Sequence, residues 1–353
     1  MSIKKDIRSL SLIELEQLFK QLHQPSFRAK QIYDWLWAKR ATSFDEMSNL
    51  SKELRTLLEE QFTFNPVTVS ETQLSNDGTV KCAMKLHDNY VVESVLIPKE
   101  SRMTACISSQ VGCSLTCKFC ATGKLKRMRN LNADEIFDQV VLVNEIAKKQ
   151  HQKPLSNIVY MGMGEPLLNY QEVLSSIDKI TSPSGLGMSP KRITLSTAGV
   201  AKMITRLGDD KVKFNLALSL HAANDEKRNQ IMPINETNNL NVLAEAITHF
   251  YNKTGTRTTF EYIVFKDFND SLKDAEELAN YCKKLKSKVN IIEYNPIDDG
   301  EFQQTTGSRL RAFTDYLTSN GIICNVRKSR GKDIDAACGQ LANKNKLAQV
   351  NLK

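Results

Sequence analysis

Residues 102–123, RMTACISSQVGCSLTCKFCATG, set the frame in which the rest of the chain is read. The stretch opens as a β-strand, TACISSQ, and runs straight into a short loop carrying Cys113, Cys117 and Cys120 at CxxxCxxC spacing. Downstream, strand-like runs alternate with helical ones. The candidate strands are TACISSQ, SNIVYMGM (156–163), RITLSTAG (192–199), KFNLALSLH (213–221), TFEYIVF (259–265) and VNIIEYN (289–295), each followed by a polar or Gly-containing loop and a helical segment. Asn132 with Glu135 three positions on marks a helix start, ahead of Ile136, Phe137, Val140 and Val141 in helical register. Six such βα units require a parallel sheet, because parallel strands need crossover connections. Six fall short of the eight that close a barrel, so the predicted fold is α/β, a partial (βα)6 TIM-like barrel. A further strand, IICNVRKS (322–329), precedes the terminal DIDAACGQLANKNKLAQVNLK.

Upstream the pattern differs. SLIELEQLFKQL places Leu12, Leu15, Leu18 and Phe19 at helical spacing, and FRAKQIYDWLWAKR and SKELRTLLEEQF follow, which predicts an N-terminal helical accessory module over residues 1–65. Residues 66–99 alternate instead, in VTVSETQL and VKCAMKLHDNYVVESVLIP, with the turn signal Asn76-Asp77-Gly78 between them. That predicts a short β extension, a hairpin or meander. The barrel then takes residues 100–342 and a tail 343–353.

Of the 353 residues, 41% are hydrophobic and 25% charged, the balance of an ordinary globular protein. A net charge of +8 is spread along the chain; it suits a polyanionic partner such as RNA without requiring one. The amino terminus has no continuous apolar run, and no stretch approaches the ~20 apolar residues of a membrane span, so the expected location is the cytoplasm, with no membrane association. Where thiols are kept reduced, eight cysteines read as metal ligands, catalytic thiols or core residues rather than disulfides.

Three thiolates leave one iron of a [4Fe-4S] cubane without a protein ligand, free to bind a small molecule. A structural zinc site would want four ligands, usually in CxxC pairs, and no second pair or nearby His completes one. Taken alone the spacing also serves zinc; its position ahead of a βα array favours the cluster.

The spacing and the FCATG context resemble the radical-SAM superfamily. Within it, the chain from about residue 25 to 342 resembles the RlmN-type adenine C2-methyltransferases, on the stretches FRAKQIYDWLW, SNDGTVK, VESVLIP, CISSQVGCSLTCKFCATG, MGMGEPL, LSTAGV, SLHAANDEKRNQIMPIN, EYNP and DIDAACGQL. The resemblance implies that Cys113, Cys117 and Cys120 ligate one [4Fe-4S] cluster. It further implies that Gly164, Glu165, Ser196, Ser219, Leu220, His221 and Asn295 contact S-adenosylmethionine (SAM). All would lie at the carboxyl ends of strands, where barrel active sites are built. Individually, each is also an ordinary turn or cap residue.

Carbon 2 of adenine lies between two ring nitrogens, is electron-poor and carries no acidic proton, so it cannot attack the SAM methyl group. A radical route removes that obstacle. In the implied mechanism one SAM methylates the Cys338 thiolate, and a second is cleaved by the reduced cluster to a deoxyadenosyl radical that takes hydrogen from the S-methyl group. The methylene radical adds to the adenine, and Cys106 attacks the Cys338 sulfur, releasing product and leaving a disulfide. Glu93 matches a family carboxylate proposed as the base for the C2 proton. Cys82, Cys282 and Cys324 match nothing and read as core or incidental.

The implied substrates are 23S ribosomal RNA near the peptidyl-transferase centre and the tRNA adenosine 3′ of the anticodon. The implied electron donor is a flavodoxin or ferredoxin, and a monomer is expected. Lys124, Lys126, Arg127 and Arg129 after the triad, and Arg28, Lys30, Lys39 and Arg40 around Trp35 and Trp37, are plausible phosphate contacts, although charge runs are more often solvated faces and Trp at helical spacing more often core. Two rivals stand beside this reading. A Cfr-type enzyme would methylate carbon 8 with the same apparatus; MGMGEPL and VESVLIP resemble the C2 enzymes more closely. A non-catalytic iron-sulfur RNA-binding protein would explain the charge and the triad but not Cys106 and Cys338.

Overall fold

The structure, a computed structural model, describes residues 4–344. The tail expected at 343–353 therefore lies almost wholly outside the described residues.

Three amphipathic helices open the chain: α1 (Leu12–Gln21), α2 (Phe27–Trp37) and α3 (Lys52–Gln61). Ser11 caps α1, its Oγ accepting from the Glu14 amide while the Glu14 carboxylate accepts from the Ser11 amide at 2.7 Å, so two otherwise orphaned donors are satisfied reciprocally. The helices bury Leu15, Phe19, Ile32, Leu36, Leu54 and Leu58. This module docks on the helix α4 (Ala133–His151). Trp37 packs edge-on against Phe137 at 5.2 Å, and Arg8 is ringed by Asp6, Asp134 and Asp138 at 2.8–3.2 Å. One hydrophobic core runs through both parts.

Ten strands form one open sheet and lie in it in the order in which the chain makes them. Strands β1 (Thr68–Leu74), β2 (Val80–Lys85), β3 (Val91–Lys99) and β4 (Arg102–Cys106) are antiparallel neighbours. The Asn76-Asp77-Gly78 turn joins the first two, with Gly78 at φ +83°. Parallel to β4 follow β5 (Asn157–Tyr160), β6 (Ile193–Thr197), β7 (Asn215–Ser219), β8 (Thr258–Val264), β9 (Ser287–Glu293) and β10 (Cys324–Arg327). Every residue of β8 is buried, as expected of a strand covered on both faces. The edge strand β1 instead alternates exposed and half-buried positions.

The crossovers between parallel neighbours are helical: α4, α5 (Tyr170–Thr181), α6 (Ala201–Asp209), α7 (Asp225–Ile231) with α8 (Leu240–Thr254), α9 (Leu272–Lys283) and α10 (Gly307–Ser319). IICNVRKS joins the sheet as its last parallel strand, so six crossovers connect seven parallel strands in an open, barrel-like half-turn. The β extension is continuous with that sheet: β3 and β4 form a hairpin across residues 100–101, pairing Val95 with Cys106.

After β10 the chain folds back over the carboxyl ends of the strands towards the opposite edge. The Asp333 carboxylate accepts from Ser75 Oγ and from the Asn76 amide at 3.0 Å, and Asp77 accepts from the Gly331 amide at 3.0 Å. Thus the turn beside one edge of the sheet anchors the segment that leaves the other edge. That segment carries Cys338.

Candidate active site

A cleft opens across the carboxyl ends of β5 to β10. It is lined by Cys113, Cys117 and Cys120 from the loop after β4, Gly164 and Glu165 after β5, Ser196 from β6, Ser219 and His221 at the end of β7, Glu261 from β8, Arg327 from β10, and Cys338. Its empty volume, about 880 Å³ including the mouth, suits a small-molecule site. Of the SAM-contact candidates, Leu220 and Asn295 do not line it. Leu220 is fully buried and its carbonyl accepts from Arg228 Nε at 3.1 Å. Asn295 is buried, donates to the Cys338 carbonyl at 3.2 Å, and leaves its own Oδ1 without a partner among the described residues.

The MGMGEP turn owes its glycines to close backbone approach. A Cβ at Gly162 would meet the Ile107 carbonyl oxygen at 2.7 Å, and one at Gly164, whose φ is +97°, would meet Gln110 Cβ at 2.5 Å. The turn thereby aims Glu165 into the cleft. Glu165 is only 3% exposed; its carboxylate accepts from the Ala198 amide at 2.7 Å and the Leu167 amide at 3.0 Å. Burial still pushes its pKa up.

His221 takes a left-handed backbone, φ +56°, and its Nδ1 accepts from the Ile263 amide at 3.0 Å. That bond requires an unprotonated Nδ1, which leaves Nε2 as the N–H of a neutral ring. Burial, and then the charge of Arg228, pull the imidazole pKa down to about 3. The ring stacks edge-on with Phe119 at 4.6 Å, in the triad loop.

A second, smaller cavity adjoins the first and is lined by Cys106, Cys120, Arg327, Cys338 and the backbone around Met161. Cys338 lines both cavities. Cys106 closes β4 and is 8% exposed; burial, and then the neighbouring Cys338, push its thiol up to about 12. Cys338 itself is exposed on the cleft wall, and its thiol is raised by the surrounding protein and drawn back by the Arg327 guanidinium. Arg327 pairs with Glu261 at 3.2 Å, and Asn290 donates to that carboxylate at 2.9 Å. All eight cysteines are free thiols.

Glu93 stands apart from both cavities. It is 2% exposed, lies 3.6 Å from Lys81 Nζ, and its Oε2 accepts from the amides of Ala342 at 2.9 Å and Asn343 at 3.1 Å. Here it tethers the segment that follows Cys338. The triad loop holds the other side: the Ala121 amide donates to the Gly339 carbonyl at 2.7 Å and Thr122 Oγ1 to the Leu341 carbonyl at 2.6 Å.

The cleft's donor set fits an iron-sulfur cluster with a cationic ligand. Four thiols, the triad and Cys338, and two carboxyls face it with one lining cation, Arg327. Burial raises Cys113 to about 11 and lifts Cys117 and Cys120, and neighbouring thiols raise Cys113 and Cys117 further. The cost that burial puts on the triad thiolates and on the Glu165 carboxylate is offset by entering positive charge. Irons supply it, and so does a sulfonium bearing an amino group. Among the described residues no three His, Cys, Asp or Glu side chains converge on a single ion, whereas a cubane offers each thiolate its own iron.

Comparison with known proteins resolves the class. The profile of the ribosomal RNA large subunit methyltransferase N-terminal domain matches residues 5–64, and that of the radical SAM superfamily matches 107–282. The chain is 63% identical over 341 residues to a probable dual-specificity RNA methyltransferase RlmN of Cytophaga hutchinsonii, covering 97% of this chain and 93% of that protein. The chain belongs to the RlmN family of radical-SAM RNA methyltransferases. It is also 41% identical to the dual-specificity RNA methyltransferase RlmN of Nautilia profundicola, over 93% of this chain and 96% of that one. The crystal structure of a radical SAM methyltransferase from Sphaerobacter thermophilus superposes with a TM-score of 0.89 at 38% identity, covering 96% and 99% of the two chains. The chain is thus an enzyme that acts on RNA and uses SAM with a [4Fe-4S] cluster, as the radical-SAM family does.

Against that family background, several side chains around the cleft were not singled out by sequence reading. Arg327, Glu261 and Arg228 are the main ones. Arg327 ends the last parallel strand, where the strand-end rule would have found it. The basic groups divide. Arg129 is taken up by Asp88 and by Glu135 at 2.7 Å, and Lys124 donates to the Asp298 carbonyl, while Lys126 and Arg127 are exposed. Trp37 is core at 1% exposure; Trp35 is half-buried with the Lys39 ammonium 3.7 Å over its ring. Cys82 and Cys282 are buried in the core and Cys324 packs beside it. No helix among the described residues is long and apolar enough to cross a membrane.

Proposed function

We propose that this enzyme methylates carbon 2 of adenine in 23S ribosomal RNA, and in tRNA at the adenosine 3′ of the anticodon, through a methylated Cys338. The observation that carries the reading is the position of that thiol. Cys338 lies on the wall shared by the cleft with the triad and Glu165 and the cavity with Cys106.

In this reading Cys113, Cys117 and Cys120 hold one [4Fe-4S] cluster, and Gly164, Glu165, Ser196, Ser219 and His221 receive SAM, while Leu220 and Asn295, which do not line the cleft, support its wall from behind. When bound, the cluster supplies the electron that cleaves SAM reductively to a deoxyadenosyl radical. Everything else falls to the chain. Glu165, buried and ionised once a cation enters, attracts the amino group of SAM. His221 stays neutral and offers an N–H without adding charge. Cys338 takes the methyl group from a first SAM as a thiolate, with Arg327 opposing the cost of ionisation. Cys106 keeps its proton through burial until Cys338 carries the adduct, then closes on the Cys338 sulfur and frees the product. The resulting disulfide is reduced from outside. Glu93 receives the C2 proton only once the Ala342 and Asn343 amides leave its carboxylate. Electrons come from a flavodoxin or ferredoxin, two SAM are used per turnover, and the enzyme works as a cytoplasmic monomer.

The test is anaerobic reconstitution with iron and sulfide, then incubation with SAM, a reductant and each RNA separately, followed by mass spectrometry of the nucleosides. We expect 2-methyladenosine. 8-Methyladenosine, or no methyladenosine from either RNA, would overturn the assignment.

A further inference from the structure

Two arginines are nearly or wholly closed off from solvent, and they are compensated differently. Arg8 is surrounded by three aspartates. Arg228, in α7, has no exposed surface and, among the described residues, no carboxylate within ion-pair distance. Its guanidinium instead donates to the carbonyls of Leu220 at 3.1 Å, Ala198 at 2.7 Å and Ser219 at 3.2 Å, and to Asn235 Oδ1. Carbonyls satisfy its N–H groups but not its charge, and a buried cation without an anion is costly.

The missing anion has a place. The Ile231 carbonyl at the end of α7 accepts from the Lys118 amide at 3.1 Å, so the helix abuts the triad loop between Cys117 and Cys120. The residue after α7, Met232, lines the cleft with Cys117. The same helix carries an acidic side chain, Asp225, in its first turn. Asp225 is already engaged, its Oδ1 accepting from Asn235 Nδ2 at 2.8 Å and the Leu240 amide at 2.9 Å. A cubane with three thiolates is anionic, and it gains one further negative charge when it accepts an electron.

We propose that Arg228 is a positioning residue for electron uptake: its buried guanidinium is the internal counter-cation of the cluster held by Cys113, Cys117 and Cys120, and it raises the cluster's reduction potential. The inference rests on the assignment of the triad to that cluster. The same side chain braces the ends of β6 and β7, so charge and bracing need separate readouts. Beside it, Gly199 takes φ +111°, and a Cβ there would stand 3.1 Å from Leu243 Cδ2 and 3.2 Å from Arg228 Nη2.

The experiment is an EPR-monitored redox titration of the full-length, anaerobically reconstituted holoenzyme without SAM, comparing wild type with Arg228→Lys, Arg228→Gln and Arg228→Met, iron content being checked first. Both neutral variants should show a lower midpoint potential, while Lys, which keeps the charge, stays close to wild type. Lys loses the forked contacts to the Ala198 and Ser219 carbonyls, so its affinity for SAM should fall although its potential holds. Unchanged potentials in all variants, or a fall in Lys as large as that in Gln, would overturn the proposal. If Met does not fold, Gln carries the comparison, because its amide can still donate to the strand-end carbonyls. Failure of the wild type to assemble a cluster would defeat the triad assignment instead.

Discussion

Gly164→Ala tests how tightly the cleft is built. The residue sits at φ +97°, a region that costs a non-glycine residue about 1–3 kcal/mol. The new Cβ would lie 2.5 Å from Gln110 Cβ and 2.9 Å from the Gln110 backbone nitrogen, an overlap of the kind that costs about 1–3 kcal/mol in a packed interior. Gln110 has no exposed surface and cannot swing away. Its Oε1 accepts the Glu165 amide at 2.8 Å, so any shift that relieves the clash weakens a bond worth about 1 kcal/mol. The terms combine to roughly 3–4 kcal/mol of destabilisation once partial relaxation is allowed. Displacement of Glu165 should weaken SAM binding on the order of tenfold, since about 1.4 kcal/mol corresponds to that factor. Urea unfolding of the apoprotein and calorimetric titration of reconstituted enzyme with SAM read the two effects. A variant with wild-type midpoint and wild-type affinity would refute the packing argument and the role given to the turn.

Other outcomes follow from neighbouring groups. His221 is depressed to about 3 in the folded protein against an ordinary 6.5, so below pH 6.5 the unfolded chain takes up a proton that the native state refuses, and stability falls as pH drops. Between pH 6.5 and 4.5 this amounts to about 2–3 kcal/mol, and His221→Gln should remove that part of the pH dependence of the urea midpoint; an unaltered slope would contradict the buried neutral ring. Arg327→Met should slow alkylation of the Cys338 peptide at pH 8 on the order of tenfold, as read by mass spectrometry, and an unchanged rate would separate Arg327 from the thiol. Glu93→Gln replaces charged acceptors for the Ala342 and Asn343 amides with one neutral carbonyl and strands the buried Lys81. The segment after Cys338 should then become several-fold more sensitive to limited proteolysis; wild-type resistance would leave Glu93 no tethering role.

What the sequence made legible was local or followed from strand ends. The Gly164-Glu165 turn, Ser196 and Ser219 lie within a few residues of a strand terminus and CxxxCxxC in the loop that follows β4, and the βα alternation brings them to one cleft. Glu93 was harder because its partners, Ala342 and Asn343, are about 250 residues away, and nothing in VVESVLIP tells of a chain returning over it. The same return path brings Cys338 to the cavity that Cys106 also lines; sequence alone paired the two only through family resemblance. Arg327 and Glu261 look like ordinary strand residues until β8 and β10 deliver them to the same wall. The β extension was readable as strands, but its continuity with the barrel depended on the two-residue link between β3 and β4.

The proposed chemistry turns on Cys338. Enzyme incubated with SAM bearing an isotopically labelled methyl group, then digested, should carry the label on the Cys338 peptide; RNA supplied with reductant should acquire it at adenine C2 as the peptide loses it. Labelled RNA from Cys338→Ala protein, with the cluster intact, would contradict the central claim.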